Sequence, residues 1–265
     1  MSKAVAKKEE TAVAPPEETG SWGAEGIDST DILIPRLLLM QPLSELVGEG
    51  DAQAGQIIKS TSQEVLYDGK KPFEFIPVMS FKTWRIMELK DGKYEFKRIE
   101  PLTAENVNEP YEWMDGNQQF RRDRTLSFYV LLPSEIKKEI AAFKKIEKGI
   151  LPDVDDCLIP CLLSFMRTSS PAGKELATFA KKAQHFGLPI ASYTFELFSE
   201  FEKNDKGNYH VFKVKRKRSS TPEEIAVCKK WNTTLTQATN IKIDDSLDDE
   251  RVIEEGDEAD IDSTF

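Results

Sequence analysis

The stretch that most constrains this chain runs from Pro72 to Glu100: FEFIPVMSF, TWRIMEL, then Asp91-Gly92, then KYEFKRIE. Apolar and polar residues alternate at a period of two on both sides of Asp91-Gly92. That dipeptide suits a two-residue turn in which both residues take positive φ, so the stretch predicts a β-hairpin. Its alternate positions carry Lys82, Trp84 and Ile86 on one strand and Tyr94, Phe96 and Arg98 on the other. A second hairpin is expected where YTFELFSEF and YHVFKVKRKR flank EKNDKGN. Thr125 to Pro133 and Cys157 to Thr168 read as further strands, and Asp31 to Gln41, with Pro35 inside it, as an edge or entry strand. Strands joined by tight turns pair antiparallel.

Three segments break the period. In SEIKKEIAAFKKIEKG, residues Ile136, Ile140, Phe143 and Ile146 fall at helical spacing, with Ser134 as the expected N-cap and Gly149 as the stop. Ser170-Pro171 opens a second helix with a stripe of Leu176, Phe179, Ala180, Ala183 and Phe186, ended by Gly187 and Pro189. Thr221-Pro222-Glu223-Glu224 is a capping box, and Ile225, Cys228, Trp231 and Leu235 give the third helix a buried side. The expected fold is therefore α+β, mainly β, best described as an OB-fold-like antiparallel barrel with additional helices and disordered termini. Residues 1–30 read as a disordered arm, 31–240 as the folded domain and 241–265 as a disordered acidic tail.

The tail explains the charge. Residues 244–265 hold eleven acidic residues against Arg251 alone, a net −10 that equals the formal charge of the whole chain, so residues 1–243 are neutral. Such a run has too little apolar surface to offset the entropy of ordering it. It ends in Phe265, which joins an aromatic ring to the terminal carboxylate, a compact ligand for a basic-rimmed pocket.

Inside the body, basic and aromatic residues cluster three times. The first hairpin offers Trp84, Arg85, Tyr94, Phe96 and Arg98. YEWMDGNQQFRRDR, read as a loop before a strand, offers Tyr111, Trp113, Phe120, Arg121, Arg122 and Arg124. FKVKRKR offers Lys213 and Lys215. Single-stranded nucleic acid is held by cations along the backbone and ring faces under the bases, at about 1 to 3 kcal/mol per stacked base, and these segments hold both parts. Enzymatic signatures are missing: there is no phosphate-binding loop or dinucleotide fingerprint, His185 and His210 are isolated, and Ser169 and Ser170 lack a recognisable histidine partner. Asp153, Asp155 and Asp156 read as a solvated turn rather than a metal site. Cys157, Cys161 and Cys228 form no CxxC, which suits a reduced compartment. The expectation is a non-enzymatic protein with no cofactor, no metal and no membrane segment.

The acidic tail ending in an aromatic resembles the tails of bacterial and tailed-phage single-stranded DNA-binding proteins. LIPCLLSFMRTSSPAGKELATFAKKA with LPIASYTFELFSEFEKNDKGNYHVFKV is similar to a tailed-phage family of that kind, most closely over Arg167-Thr168-Ser169, Gly173-Lys174 and the turn from Asn204 to Tyr209. The resemblance implies an OB-fold body, and Arg167 and Lys174 join the candidate DNA contacts. It also implies a tail that recruits replication and recombination proteins, such as a polymerase, helicase or nuclease, through Asp257, Glu258, Asp260, Asp262 and Phe265. The tail ends Asp-Ser-Thr-Phe, without the proline of the cellular version. The expected function is coating of single-stranded DNA in bacteriophage replication, recombination and repair, in the cytoplasm of the bacterial host. The alternatives are an acidic-tailed chaperone or DNA-mimicking inhibitor that binds basic proteins, and a recombination nuclease subunit.

Overall fold

A computed structural model describes residues 33–205, 207–237 and 242–243. The expectations for the arm, residues 1–30, and for the tail with Asp257, Glu258, Asp260, Asp262 and Phe265 lie outside the described residues. Pro35, which has no N–H to give a ladder, splits the entry strand into Leu33–Ile34 (β1) and Leu37–Leu39 (β2). A short helix, Glu45–Glu49 (α1), ends at Gly50 in the left-handed conformation. Ile57–Lys59 (β3) and Val65–Tyr67 (β4) complete a three-stranded sheet with β2.

The first long strand is Phe73–Lys90 (β5), 18 residues without interruption. Two strands were expected here, FEFIPVMSF and TWRIMEL, broken at Lys82. They are one because a register shift between Pro77 and Met79 absorbs the proline, and pairing with the same partner resumes beyond it. Asp91 and Gly92 both have positive φ, 50° and 80°, and turn β5 into Lys93–Pro101 (β6). Glu112–Asp115 (β7) and Gln118–Leu131 (β8) form a hairpin about Gly116 where the sequence reading placed a loop. The missed signal is Asp115-Gly116-Asn117, with Gly116 at φ 61°.

Pro133–Ile146 (α2) follows, with Leu132 as its N-cap and Pro133 in its first turn. Ser134 is already inside the helix, because proline's fixed φ suits the first helical position and moves the boundary one residue earlier. Cys161–Phe165 (β9) pairs with β8, and Ser170–His185 (α3) crosses behind it. A Cβ on Gly173 would lie 2.6 Å from that of Phe165, so glycine sets how closely α3 approaches β9. Phe186, expected on the buried stripe, is 76% exposed, because the helix ends at His185. Tyr193–Asn204 (β10) and Gly207–Ser219 (β11) form the second expected hairpin. Pro222–Gln237 (α4) begins at the predicted capping box, with Thr221 N–H on Glu224 at 2.8 Å and Glu224 N–H on the Thr221 hydroxyl at 3.3 Å. Lys242–Ile243 (β12) then lies parallel to β1.

The main sheet runs β11-β10-β5-β8-β7, with β6 on β5 and β9 on β8. The alternation of β8 builds a core on each side of it. Phe128 and Val130 join Phe75, Leu163, Phe165, Phe195, Leu197 and Leu176, while Tyr129 and Leu131 join Ile34, Ile76, Ile136, Leu162, Cys228 and Leu235. Each such side chain contributes about 1.5 to 3 kcal/mol by leaving water.

The architecture is α+β, mainly β, with antiparallel main sheets and, among the described residues, four α-helices. Among the described residues the ladder does not close into a barrel. The gap between β9 and β11 is spanned by residues 35–41: Leu162 N–H donates to the Pro35 carbonyl at 2.8 Å, and the Gln41 amide donates to the His210 carbonyl and accepts from its N–H, both at 2.9 Å. One side chain stands where a strand pair would have sealed the ring.

Candidate functional site

Beyond the two cores the sheet continues as an arm made from the second half of β5, the first half of β8, and β6 and β7 outside them. Register from Thr83↔Thr125 to Glu88↔Phe120 puts Trp84, Ile86, Arg122 and Phe120 on one face, and Arg85, Met87, Arg121 and Asp123 on the other.

The first face is a small core. Trp84, Ile86 and Phe120 are buried, with Leu102 and Trp113 packed against them. Trp113 stacks on Phe120 with centroids 5.3 Å apart and planes 20° from parallel. The Trp84 indole donates to Asn106 at 3.2 Å, and Asn106 also caps the turn by accepting from Thr103 N–H at 2.8 Å. Arg122, 5% exposed, lies 4.4 Å over the Trp113 ring and pairs with Glu109. Trp84, Trp113, Phe120 and Arg122 were candidate DNA contacts. Here their rings cover one another and Arg122 is committed to an intramolecular pair, because the segment after β6 folds back over this face.

The second face is open only in part: Tyr111 is 47% exposed and the Arg167 side chain 33%, whereas Arg85 is 4% exposed and the Arg121 side chain 12%. Arg121 lies 4.2 Å over the Tyr94 ring and 6.0 Å from that of Tyr111, and Arg85 lies 4.9 Å over Phe96. Asp123, 5% exposed, is the hub: it accepts from Arg167 Nε at 3.1 Å and Nη2 at 2.5 Å, accepts from the Tyr111 hydroxyl at 3.2 Å, and pairs with Arg121 at 3.5 Å. Tyr94 donates to Glu112 at 3.1 Å and accepts from Gln119 at 3.0 Å. Burial, and then the Asp123 carboxylate, push the Tyr111 hydroxyl up to about 12, so it stays a neutral donor. Arg167 has φ 46°, an uncommon conformation for a β-unbranched residue that aims its side chain at Asp123. Toward the body, the strip continues into a pocket lined by Arg36, Phe81, Thr83, Arg85, Ile99, Thr125, Ser127, Ser164 and Met166. Buried Arg121 Nε and the buried Thr125 hydroxyl have no hydrogen-bond partner among the described residues.

The structure thus gathers Arg85, Tyr94, Phe96, Tyr111, Arg121 and Arg167 into one strip and adds Arg36 and Asp123, which sequence reasoning left out. The remaining candidates lie elsewhere. Arg98 pairs with Glu100 at 2.6 Å. Arg124 is exposed on the first face near Lys82, whose amine is held below its usual range by burial and by Arg124 and Lys181. Lys174 is exposed on α3. Lys213 pairs with Glu202 at 2.9 Å and Glu200 at 3.6 Å, and Lys215 stands exposed on the same strand opposite Glu196. Lys217 pairs with Glu196 at 2.7 Å, and Arg218 with Glu224 and Glu74 at 2.8 and 3.1 Å. Most of the basic run of β11 is therefore neutralised by glutamates within reach, most of them on β10.

Among the described residues no helix is long and apolar enough to cross a membrane, and no group of histidine, cysteine and carboxylate side chains is placed to hold a metal ion. A family model described as Pam3 phage gp34-like protein matches residues 6–242, most of the chain, and the chain belongs to that phage protein family. No curated protein and no solved structure matches it.

Proposed function

We propose that this member of the Pam3 phage gp34-like family binds single-stranded DNA, without catalysing a reaction on it, along the second face of its β-arm. The observation that carries the reading is the grouping there of Arg121 on the Tyr94 ring with the partly exposed Arg167 and the exposed Tyr111. Guanidinium groups held flat on aromatic faces keep their edges for phosphate oxygens and present a planar surface on which a base stacks. In this reading the protein coats exposed strands during phage replication, recombination and repair in the host cytoplasm. Its acidic tail, Asp257, Glu258, Asp260, Asp262 and Phe265, docks a polymerase, helicase or nuclease.

The test is a titration of single- and double-stranded oligonucleotides of equal length over a salt series. Preference for the single strand, with affinity falling linearly in log-log form as salt rises, is the expected result. Absence of binding to either would sink the reading and leave the acidic-tailed chaperone or DNA-mimicking inhibitor. Strand cleavage in magnesium would favour the nuclease subunit.

A further inference from the structure

The outer edge of β11 is only half used. In an antiparallel pair the backbone groups of alternate residues point to the same edge of a strand. The Gln41 side chain donates to the His210 carbonyl and accepts from its N–H, both at 2.9 Å, and Phe212 N–H donates to the Ser169 hydroxyl at 3.2 Å. The even-numbered residues of β11 therefore face away from β10. The next two in that series, Val214 and Arg216, have no outward backbone partner among the described residues, where β11 pairs with β10 alone. An edge left open in this way is a template for another strand.

The side chains of the same two residues line a cleft between β11 and α3. Leu176, Phe179, Phe195 and Val214 form its floor, and Lys182 and Arg216 stand at its rim with Glu175. It encloses about 760 Å³ of open space, its mouth included. Arg216 rests on two rings, 4.7 Å from Tyr193 and 5.7 Å from Phe179. Its neighbours Lys213, Lys217 and Arg218 are each paired with a glutamate, whereas neither Arg216 nor Lys182 has an ion pair among the described residues.

We propose that β11 takes up an extended acidic segment of a partner protein as an added strand, with one large apolar side chain of that segment in the cleft and carboxylates beside it on Arg216 and Lys182. Three features select this occupant. The open backbone groups of Val214 and Arg216 ask for an extended chain. The floor asks for an apolar side chain and suits a nucleobase poorly, because the Thr178 hydroxyl is already given to the Lys174 carbonyl at 2.8 Å and Glu175 is the one carboxylate at the rim. Two cations without counter-ions ask for acids, and the rings beneath Arg216 pre-orient its fork for a carboxylate. Side chains two residues apart on a strand share a face at a spacing of about 7 Å, so acids flanking the apolar residue at that interval would reach the rim.

The proposal stands apart from DNA binding. Its probe is the peptide Thr-Asp-Thr-Phe-Thr-Asp-Thr, fluorescein-labelled at one end and amidated at the other, titrated into the full-length protein and followed by anisotropy. Saturable binding below about 1 mM is expected, with slowed amide exchange at Val214 and Arg216. Arg216→Gln should weaken it about tenfold and Lys182→Gln about threefold, both with unchanged thermal melting, and Arg216→Lys should recover part of the loss. N-methylation along the pairing edge of the peptide should also cost about tenfold, an effect that a cleft taking the side chain alone would not show. Absence of saturation, equal binding of the N-methylated peptide, or its displacement from β11 by a single-stranded oligonucleotide would overturn the assignment. Binding seen only in a chain lacking residues 244–265 would overturn it too, since the occupant would then be the chain's own acidic stretch.

Discussion

The two faces of the β-arm carry nearly the same residue types and do opposite things. One holds Trp84, Trp113, Phe120 and Arg122; the other Tyr94, Phe96, Tyr111, Arg85 and Arg121. On the first, the turn at Asn106 and the strand at Trp113 close over the rings, and Arg122 sits buried with Glu109. On the second, Arg85 is buried and Arg121 largely so, but Tyr111 is 47% exposed and Asp123 holds a partly exposed Arg167 beside Arg121. Burial converts an aromatic-basic cluster into structure, and partial cover leaves its outer members, Tyr111 and Arg167, as surface chemistry. The same side-chain inventory is a core or an interface according to what lies on top of it.

The strongest way to break this contrast is Trp84→Ala. Removing a buried indole should cost about 3 to 5 kcal/mol of stability, measured by denaturant unfolding. Unchanged stability with lost DNA binding would make the first face the interface after all. Next is Arg121→Gln, expected to weaken single-strand binding about tenfold and to reduce the slope of log affinity against log salt by about one, with melting preserved. A full loss of folding with that variant would show that the second face is also structural.

Removing residues 244–265 sharpens the contrast from another side. Taking away a net −10 should tighten single-strand binding by about three- to tenfold at low salt and hardly at all at high salt, provided the strip is cationic and accessible. Removing Phe265 alone should leave that affinity unchanged while lowering recovery of replication proteins in a pull-down. The smallest effect is expected from Lys213→Gln combined with Lys217→Gln. Both lysines are ion-paired and exposed to solvent that screens the pairs, so the double variant should change melting little and leave the DNA titration where it was. A drop comparable to that of Arg121→Gln would move the interface to β11.

Much of the fold was legible because it rests on local rules. The Asp91-Gly92 turn, the Thr221 to Glu224 capping box and the alternation of Thr125 to Leu131 each appear where the spacing predicts. The site was legible only in part. That Arg121 and Arg122 point to opposite faces follows from the period of a strand, but this stretch reads as a loop until the hairpin of β7 and β8 is recognised. Which face is covered depends on where residues 102–111 fold back, and that is not a local property. The basic run of β11 looked available because its neutralising glutamates lie mainly on β10, about twenty residues distant in sequence for Lys217. Asp123 became meaningful only once register placed it beside Arg85 and within reach of Arg167.

One strand joins all of this. β5 spans 18 residues, about 60 Å when extended, with Phe75 and Ile76 fixed in the two cores and Leu89 at the tip of the arm. The arm is thus a cantilever clamped at one end. Amide hydrogens along this strand should exchange in a gradient, slowest near Ile76 and fastest near Leu89, as opening frays inward from the tip. A ligand gripping the arginine strip would load the beam near its middle, and the slowing of exchange it causes would spread outward to the tip before it reached the clamp.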